Sequence, residues 1–89
     1  MDRDTARKNI TLAMVYDDID RRRIADRMHV SVARVGYRLL RMSERGRDIE
    51  WFAVALGLPE AVLRLGSADF VRYLANRDDL EKRNKDKEL

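Results

Sequence analysis

The chain has 89 residues, which is enough for one small domain with a modest hydrophobic core. It contains no cysteine, so disulfides, thiolate nucleophiles and thiolate metal sites are excluded. No apolar run reaches the roughly 20 residues that span a bilayer, and the N-terminus lacks the pattern of a signal peptide. We therefore expect a cytoplasmic protein with no membrane partner.

The positive charge is concentrated in the middle third of the chain. Residues 20–47 carry nine arginines against three acidic residues, a net charge of +6, whereas residues 1–19 and 48–89 carry −1 and −2. Arginine outnumbers lysine fifteen to four, and its guanidinium group suits forked contacts to phosphate and guanine. The charge distribution favours a nucleic-acid partner, although the preference for arginine is also explained by genome composition.

The spacing of apolar residues predicts an all-α protein, a compact bundle of five or six helices separated by glycines. The first helix is expected over residues 4–16. The second is expected over residues 21–28, with Asp20 as its N-cap. His29 stands where the chain must turn in a left-handed conformation, and no second metal ligand lies at a usable spacing. We therefore interpret this histidine as a turn residue.

The third helix is expected from about Ser31, its N-cap, to about Glu44. Its inward stripe has four members: Val32, Val35, Leu39 and Met42. A fourth helix is predicted over residues 49–56 with Asp48 as its cap, and Trp51 is expected at the edge of the core. A short fifth helix begins with Pro59 at its first position, where the missing N–H costs nothing.

The sixth helix, capped by Ser67, is expected to pack on the body or on a second subunit. We predict a homodimer interface from five residues near its start and in the fifth helix: Leu63, Phe70, Val71, Tyr73 and Leu74. From Arg77 onwards, mixed charge predicts a solvated, fraying end. The chain is accordingly divided into a domain of residues 1–66 and a C-terminal helix with a charged, partly disordered tail, residues 67–89.

Two segments carry a resemblance to a known family. Residues 18–31 read DIDRRRIADRMHVS, and residues 52–63 read FAVALGLPEAVL. Their order and spacing resemble the helix-turn-helix DNA-binding domains of the phage lambda repressor and Cro type, which are small prokaryotic or phage transcriptional regulators. The match covers roughly residues 5–65. It departs from the family at His29, which replaces a glycine, and at Arg38, which replaces an apolar core residue.

The resemblance implies that helices two and three form a helix-turn-helix and that the third helix enters the major groove of double-stranded DNA. The residues expected to face the bases are Val32, Ala33, Arg34, Gly36, Tyr37 and Arg41. The residues expected to bind phosphates are Arg21, Arg22, Ser31, Arg38, Arg45 and Arg47. A sequence-specific regulator, a repressor acting as a homodimer, is the function implied, with its place on the nucleoid of a prokaryote or of a phage-infected host.

Other functions are also considered. An enzyme is not expected, because the sequence has no paired carboxylates in an apolar setting, no Cys/His dyad, no phosphate-binding glycine loop and no metal cluster. For the same reason no cofactor and no metal are expected. The alternatives are an antitoxin or anti-repressor that binds a protein partner, through the C-terminal helix in the case of an antitoxin, and a DNA-bending recombination directionality factor.

Overall fold

The computed structural model describes residues 3–42 and 47–87, which form six α-helices and no strand. The helices are α1 (Arg3–Tyr16), α2 (Arg21–Met28), α3 (Val32–Leu40), α4 (Arg47–Leu56), α5 (Glu60–Leu63) and α6 (Ser67–Lys87). The prediction of a small all-α bundle is therefore confirmed. Within these described ranges, no helix is long and apolar enough to cross a membrane.

The turn between α2 and α3 forms as the sequence predicts. A carboxylate oxygen of Asp20 accepts a hydrogen bond from the backbone N–H of Arg23 at 2.8 Å, which caps α2. His29 ends α2 in the left-handed region, at φ 56° and ψ 44°. The Ser31 hydroxyl oxygen then accepts from the backbone N–H of Arg34 at 3.2 Å and caps α3. Each cap satisfies a donor that the first turn of its helix leaves unpaired.

Several predicted helix ends are corrected. α3 ends at Leu40 and not at Glu44, because its C-cap Arg41 leaves the helical conformation at φ −103° and ψ 26°. α4 begins at Arg47, so Asp48 lies in its first turn and is not its cap. Pro59 is the N-cap of α5 and not its first residue. Residues 43–46, which include the predicted phosphate ligand Arg45, lie outside the described residues.

The C-terminal helix continues well beyond the predicted fraying point. α6 runs to Lys87, and Arg77 joins it to the end of α1 through an ion pair with Asp17 at 2.6 Å. Beside this pair, the Asp78 carboxylate accepts a hydrogen bond from the Tyr16 phenol and raises the pKa of that phenol. These contacts join α6 to the end of α1 at Arg77 and Asp78, where the sequence predicts that the helix begins to fray.

The core lies between the inner faces of the helices. Its largest fully buried apolar side chains are those of Phe52, Phe70, Ile10, Ile24, Met42, Ile49, Leu63, Leu74 and Val35. Three members of the predicted dimer interface, Leu63, Phe70 and Leu74, are therefore at most 1% exposed in the single chain. Their assignment to an interface is wrong, because these side chains are already buried within the chain, where α5 and α6 pack on α1 and on each other. Val71 is 43% exposed and Tyr73 is half-buried.

A buried amide joins three parts of the bundle. Asn9 of α1 is 0% exposed. Its Nδ2 donates to the carbonyl oxygens of Leu63 and Leu65, at 3.0 and 2.7 Å. Its Oδ1 accepts from the Ser67 hydroxyl at 3.1 Å. The Asn9 side chain thus supplies a hydrogen-bond partner to two carbonyl oxygens at and just after the end of α5, where a helix terminus leaves carbonyls without partners. It also binds the Ser67 hydroxyl at the start of α6.

We expect Asn9→Leu to lower the free energy of unfolding by about 2–4 kcal/mol, because it leaves one buried carbonyl, one partly buried carbonyl and a hydroxyl without their partner. The same substitution at the exposed Asn76 of α6 is the matched control and should change stability by less than about 0.5 kcal/mol. Urea denaturation measures both. Equal midpoints for the two variants would show that the Asn9 hydrogen bonds do not stabilise the fold.

Candidate nucleic-acid interface

One side of α3 is buried and the other is open. Val35 and Leu39 face the core, at 0% and 9% exposure. The outer face of α3 is defined here by the exposed residues Val32, Ala33, Arg34, Tyr37, Leu40 and Arg41. It includes five of the six residues predicted to face bases. Val32 is 44% exposed and so leaves the inward stripe that the sequence predicts. Leu40, which is 71% exposed, is a member that the sequence places beside the residues predicted to face bases but not among them.

Gly36, the sixth residue predicted to face bases, is covered by an arginine. A Cβ placed at Gly36 would lie 3.1 Å from Nη1 of Arg21 and 3.7 Å from its Cζ. The guanidinium group of Arg21 therefore lies across the backbone of α3 at this position. The base-facing role of Gly36 is corrected: its missing side chain makes room for Arg21, which was predicted to bind a phosphate.

α3 is also held at its C-terminal end, by a residue that the sequence did not single out. Arg7 of α1 donates from Nε to the carbonyl oxygen of Leu39 at 2.9 Å and from Nη2 to that of Leu40 at 3.0 Å. The last carbonyls of a helix lack intrahelical partners, and a cation is favoured there. Arg7 and the Ser31 cap together fix both ends of α3.

Arg38 was predicted to bind a phosphate, but the structure directs it inwards. Its Nη1 pairs with Asp48 of α4 at 3.1 Å. Its guanidinium carbon lies 4.7 Å from the centre of the Trp51 ring, within the range of a cation–π contact. Its Nε is buried without a hydrogen-bond partner. Arg38 therefore packs α3 against α4, and its assignment to phosphate is corrected.

Trp51, the aromatic partner of Arg38, lies at the edge of the core as predicted. It is half-buried, and its ring meets that of Phe52 edge-to-face with centroids 5.0 Å apart. The signal that could have found the Arg38 contact is the spacing of Asp48 and Trp51, three residues apart on one side of α4. Such a spacing places two side chains on one helix face.

Further exposed arginines lie on the helices next to α3 in the chain. Arg21 and Arg22 lie in the first turn of α2, and Arg47 begins α4. Arg27, in the last turn of α2, donates from Nη1 to the carbonyl oxygen of Ala55 at 2.9 Å and helps to hold α2 on α4. On the outer face itself, Arg41 lies over the Tyr37 ring at 5.8 Å.

Metal binding is a further function to consider for the side chains that the structure describes. Within residues 3–42 and 47–87 there is no group of three or more histidine or acidic residues that could hold a metal ion. Comparison of the chain with protein-family models, with curated proteins and with solved structures found no match. The function is therefore inferred from the residues of the outer face of α3 and their neighbours.

We expect Gly36→Ala to raise the free energy of unfolding by about 0.5–1 kcal/mol, the usual gain for this change inside a helix. The added Cβ would lie 3.1 Å from Nη1 of Arg21, the far end of a flexible side chain, which must shift by a few tenths of an ångström. Thermal unfolding measures the gain. In an Arg21→Ala background the gain should be larger, because nothing has to be displaced. A smaller gain in that background than in the unaltered chain would contradict the described contact.

Proposed function

We propose that this protein is a sequence-specific double-stranded DNA-binding regulator that acts as a repressor. In this proposal α2 and α3 form a helix-turn-helix. The observation that carries the proposal is the outer face of α3. Its side chains contribute nothing to the core, it carries two arginines, and further exposed arginines lie at the starts of α2 and α4. A basic face on a short, firmly held helix suits the major groove.

The dimensions of α3 support this proposal. It has nine residues, which corresponds to about 14 Å of helix. An α-helix with its side chains is about 10–12 Å in diameter, which a major groove about 12 Å wide admits. With the outer face of α3 directed at the base edges, Arg21 and Arg22 would meet the phosphates from the start of α2, where helix N-termini also attract anions.

The apolar members of the outer face of α3 would contribute to base recognition through contact alone. Val32, Ala33 and Leu40 have no group that hydrogen-bonds a base, but each suits a thymine methyl. Arg34, Tyr37 and Arg41 supply the polar contacts. The proposed site is therefore a mixed one, with methyl recognition in the groove and arginines for guanine and phosphate.

The proposal includes a homodimer, because one helix of this size covers only a half-site and two-fold symmetry is the usual solution. Because Leu63, Phe70 and Leu74 are buried within the single chain, less apolar surface remains for a dimer interface. On α6, Val71 and the half-buried Tyr73 remain available.

A protein-binding function, as in an antitoxin or an anti-repressor, is the second candidate. It is favoured by the apolar exposure on the outer face of α3, where Val32, Tyr37 and Leu40 are 44%, 62% and 71% exposed. Retention on random duplex DNA at low salt, lost at high salt, would favour DNA. Capture of one protein partner by a chain that duplex DNA does not retain would favour the second candidate.

Ala33→Glu should reduce affinity for duplex DNA by at least about tenfold and leave the fold intact, because it sets a carboxylate against the negative groove. Ala61→Glu is the matched control: it adds the same charge at another exposed helical alanine, in α5. Fluorescence anisotropy with a labelled duplex measures both affinities. Equal binding by the two variants would mean that α3 does not face the DNA.

The salt dependence of DNA affinity should follow the exposed arginines around α3. Three of them, Arg21, Arg22 and Arg47, are the ones proposed to meet phosphates. If each displaces the counterion of one phosphate, log K should fall with log salt with a slope of about −2.7 for each protomer. Arg22→Gln should reduce that slope by about one unit, whereas Arg64→Gln, which removes the partner of Glu60 on α5, should not change it. An affinity independent of salt would exclude this electrostatic contribution.

A further inference from the structure

We infer that Arg41 selects a guanine in the DNA site and that Tyr37 holds Arg41 in position to do so; this inference rests on the proposed function. Among the described residues of the outer face of α3, only Arg34, Tyr37 and Arg41 carry side-chain groups that hydrogen-bond a base edge. The single phenol of Tyr37 reads less than the forked guanidinium of an arginine. Specificity through hydrogen bonds therefore falls mainly to Arg34 and Arg41.

The two arginines differ in how far the fold positions them. The guanidinium carbon of Arg41 lies 5.8 Å from the centre of the Tyr37 ring, within the range of a cation–π contact. The backbone N–H of Arg41 donates to the carbonyl oxygen of Tyr37 at 2.9 Å, the ordinary helical bond, so Arg41 keeps the helical register although it follows the last residue of α3. What distinguishes Arg41 from Arg34 is the contact of its side chain with the Tyr37 ring.

Tyr37 is suited to this role because the core does not use it. Its side chain is 62% exposed, so its ring is free to support a neighbour. The distance from Tyr37 to Arg41 is four residues, which places both on one side of the helix. Arg38, by contrast, is engaged by Asp48 and Trp51 on α4.

The geometry leaves the hydrogen-bonding groups of Arg41 available. Within the described part of the chain no hydrogen bond or ion pair engages the Arg41 guanidinium, whose side chain meets the Tyr37 ring at 5.8 Å. Its N–H donors can therefore turn to a base edge. Guanine presents two acceptors, O6 and N7, at the spacing of that fork. A guanidinium already restrained by the ring loses less rotamer entropy on binding than a free one.

The test is selection of bound sequences from a pool of random duplexes, carried out with the full chain and four variants. Arg41→Lys keeps the charge but loses the fork, so its preference for the guanine should fall about tenfold to a hundredfold while total DNA binding at low salt persists. Tyr37→Phe keeps the ring and should select the same base. Tyr37→Leu removes the ring and should weaken the preference. Arg34→Lys is the matched control and should retain the guanine.

Each outcome has a definite meaning. An enriched guanine that Arg41→Lys and Tyr37→Leu lose, and that Tyr37→Phe and Arg34→Lys keep, supports the inference. An unchanged enriched site with Arg41→Lys overturns it and leaves DNA binding in place. A guanine preference that Tyr37→Leu fully retains overturns the positioning role of Tyr37. A chain that retains no duplex at low salt overturns the proposed function and this inference together.

Discussion

The anchoring of α3 at both ends is the constraint on which the proposed interface depends. The Ser31 hydroxyl satisfies a donor at its first turn, and Arg7 of α1 satisfies the carbonyl oxygens of Leu39 and Leu40 at its last. A helix of nine residues has little stability of its own. Because caps and core contacts hold it, its remaining side can carry residues that the core would not accept, including Arg41 and the exposed ring of Tyr37.

The features of α2 and α3 that the sequence predicts correctly are local ones. The caps at Asp20 and Ser31 and the left-handed turn at His29 depend on residues within a few positions of one another, so their chemistry can be read from the chain. The end of α3 was misplaced because Arg7, which holds it, comes more than thirty residues earlier. No periodic pattern on α3 reports a partner on α1.

The wrong assignments have a common physical reason: a helical pattern gives the face of a residue but not what covers that face. Phe70 and Leu74 form an apolar stripe that would suit a dimer equally well, and the structure shows it covered within one chain. Arg38 and Gly36 likewise lie at positions from which a helix in the major groove could contact DNA. Their neighbours on α4 and α2 take Arg38 out of the interface and bring Arg21 over Gly36. Only the packing of the other helices decides these cases.

In the proposed complex the outer face of α3 and the start of α2 contact duplex DNA. Chemical-shift mapping by nuclear magnetic resonance, with a short duplex added to the isotope-labelled chain, tests this contact most directly. We expect the largest changes at backbone amides of residues 32–41 and of Arg21 and Arg22, with α6 from Ala68 to Asn76 unaffected by direct contact. Changes concentrated on α6 or around Trp51 and Val54, with residues 32–41 unchanged, would contradict it.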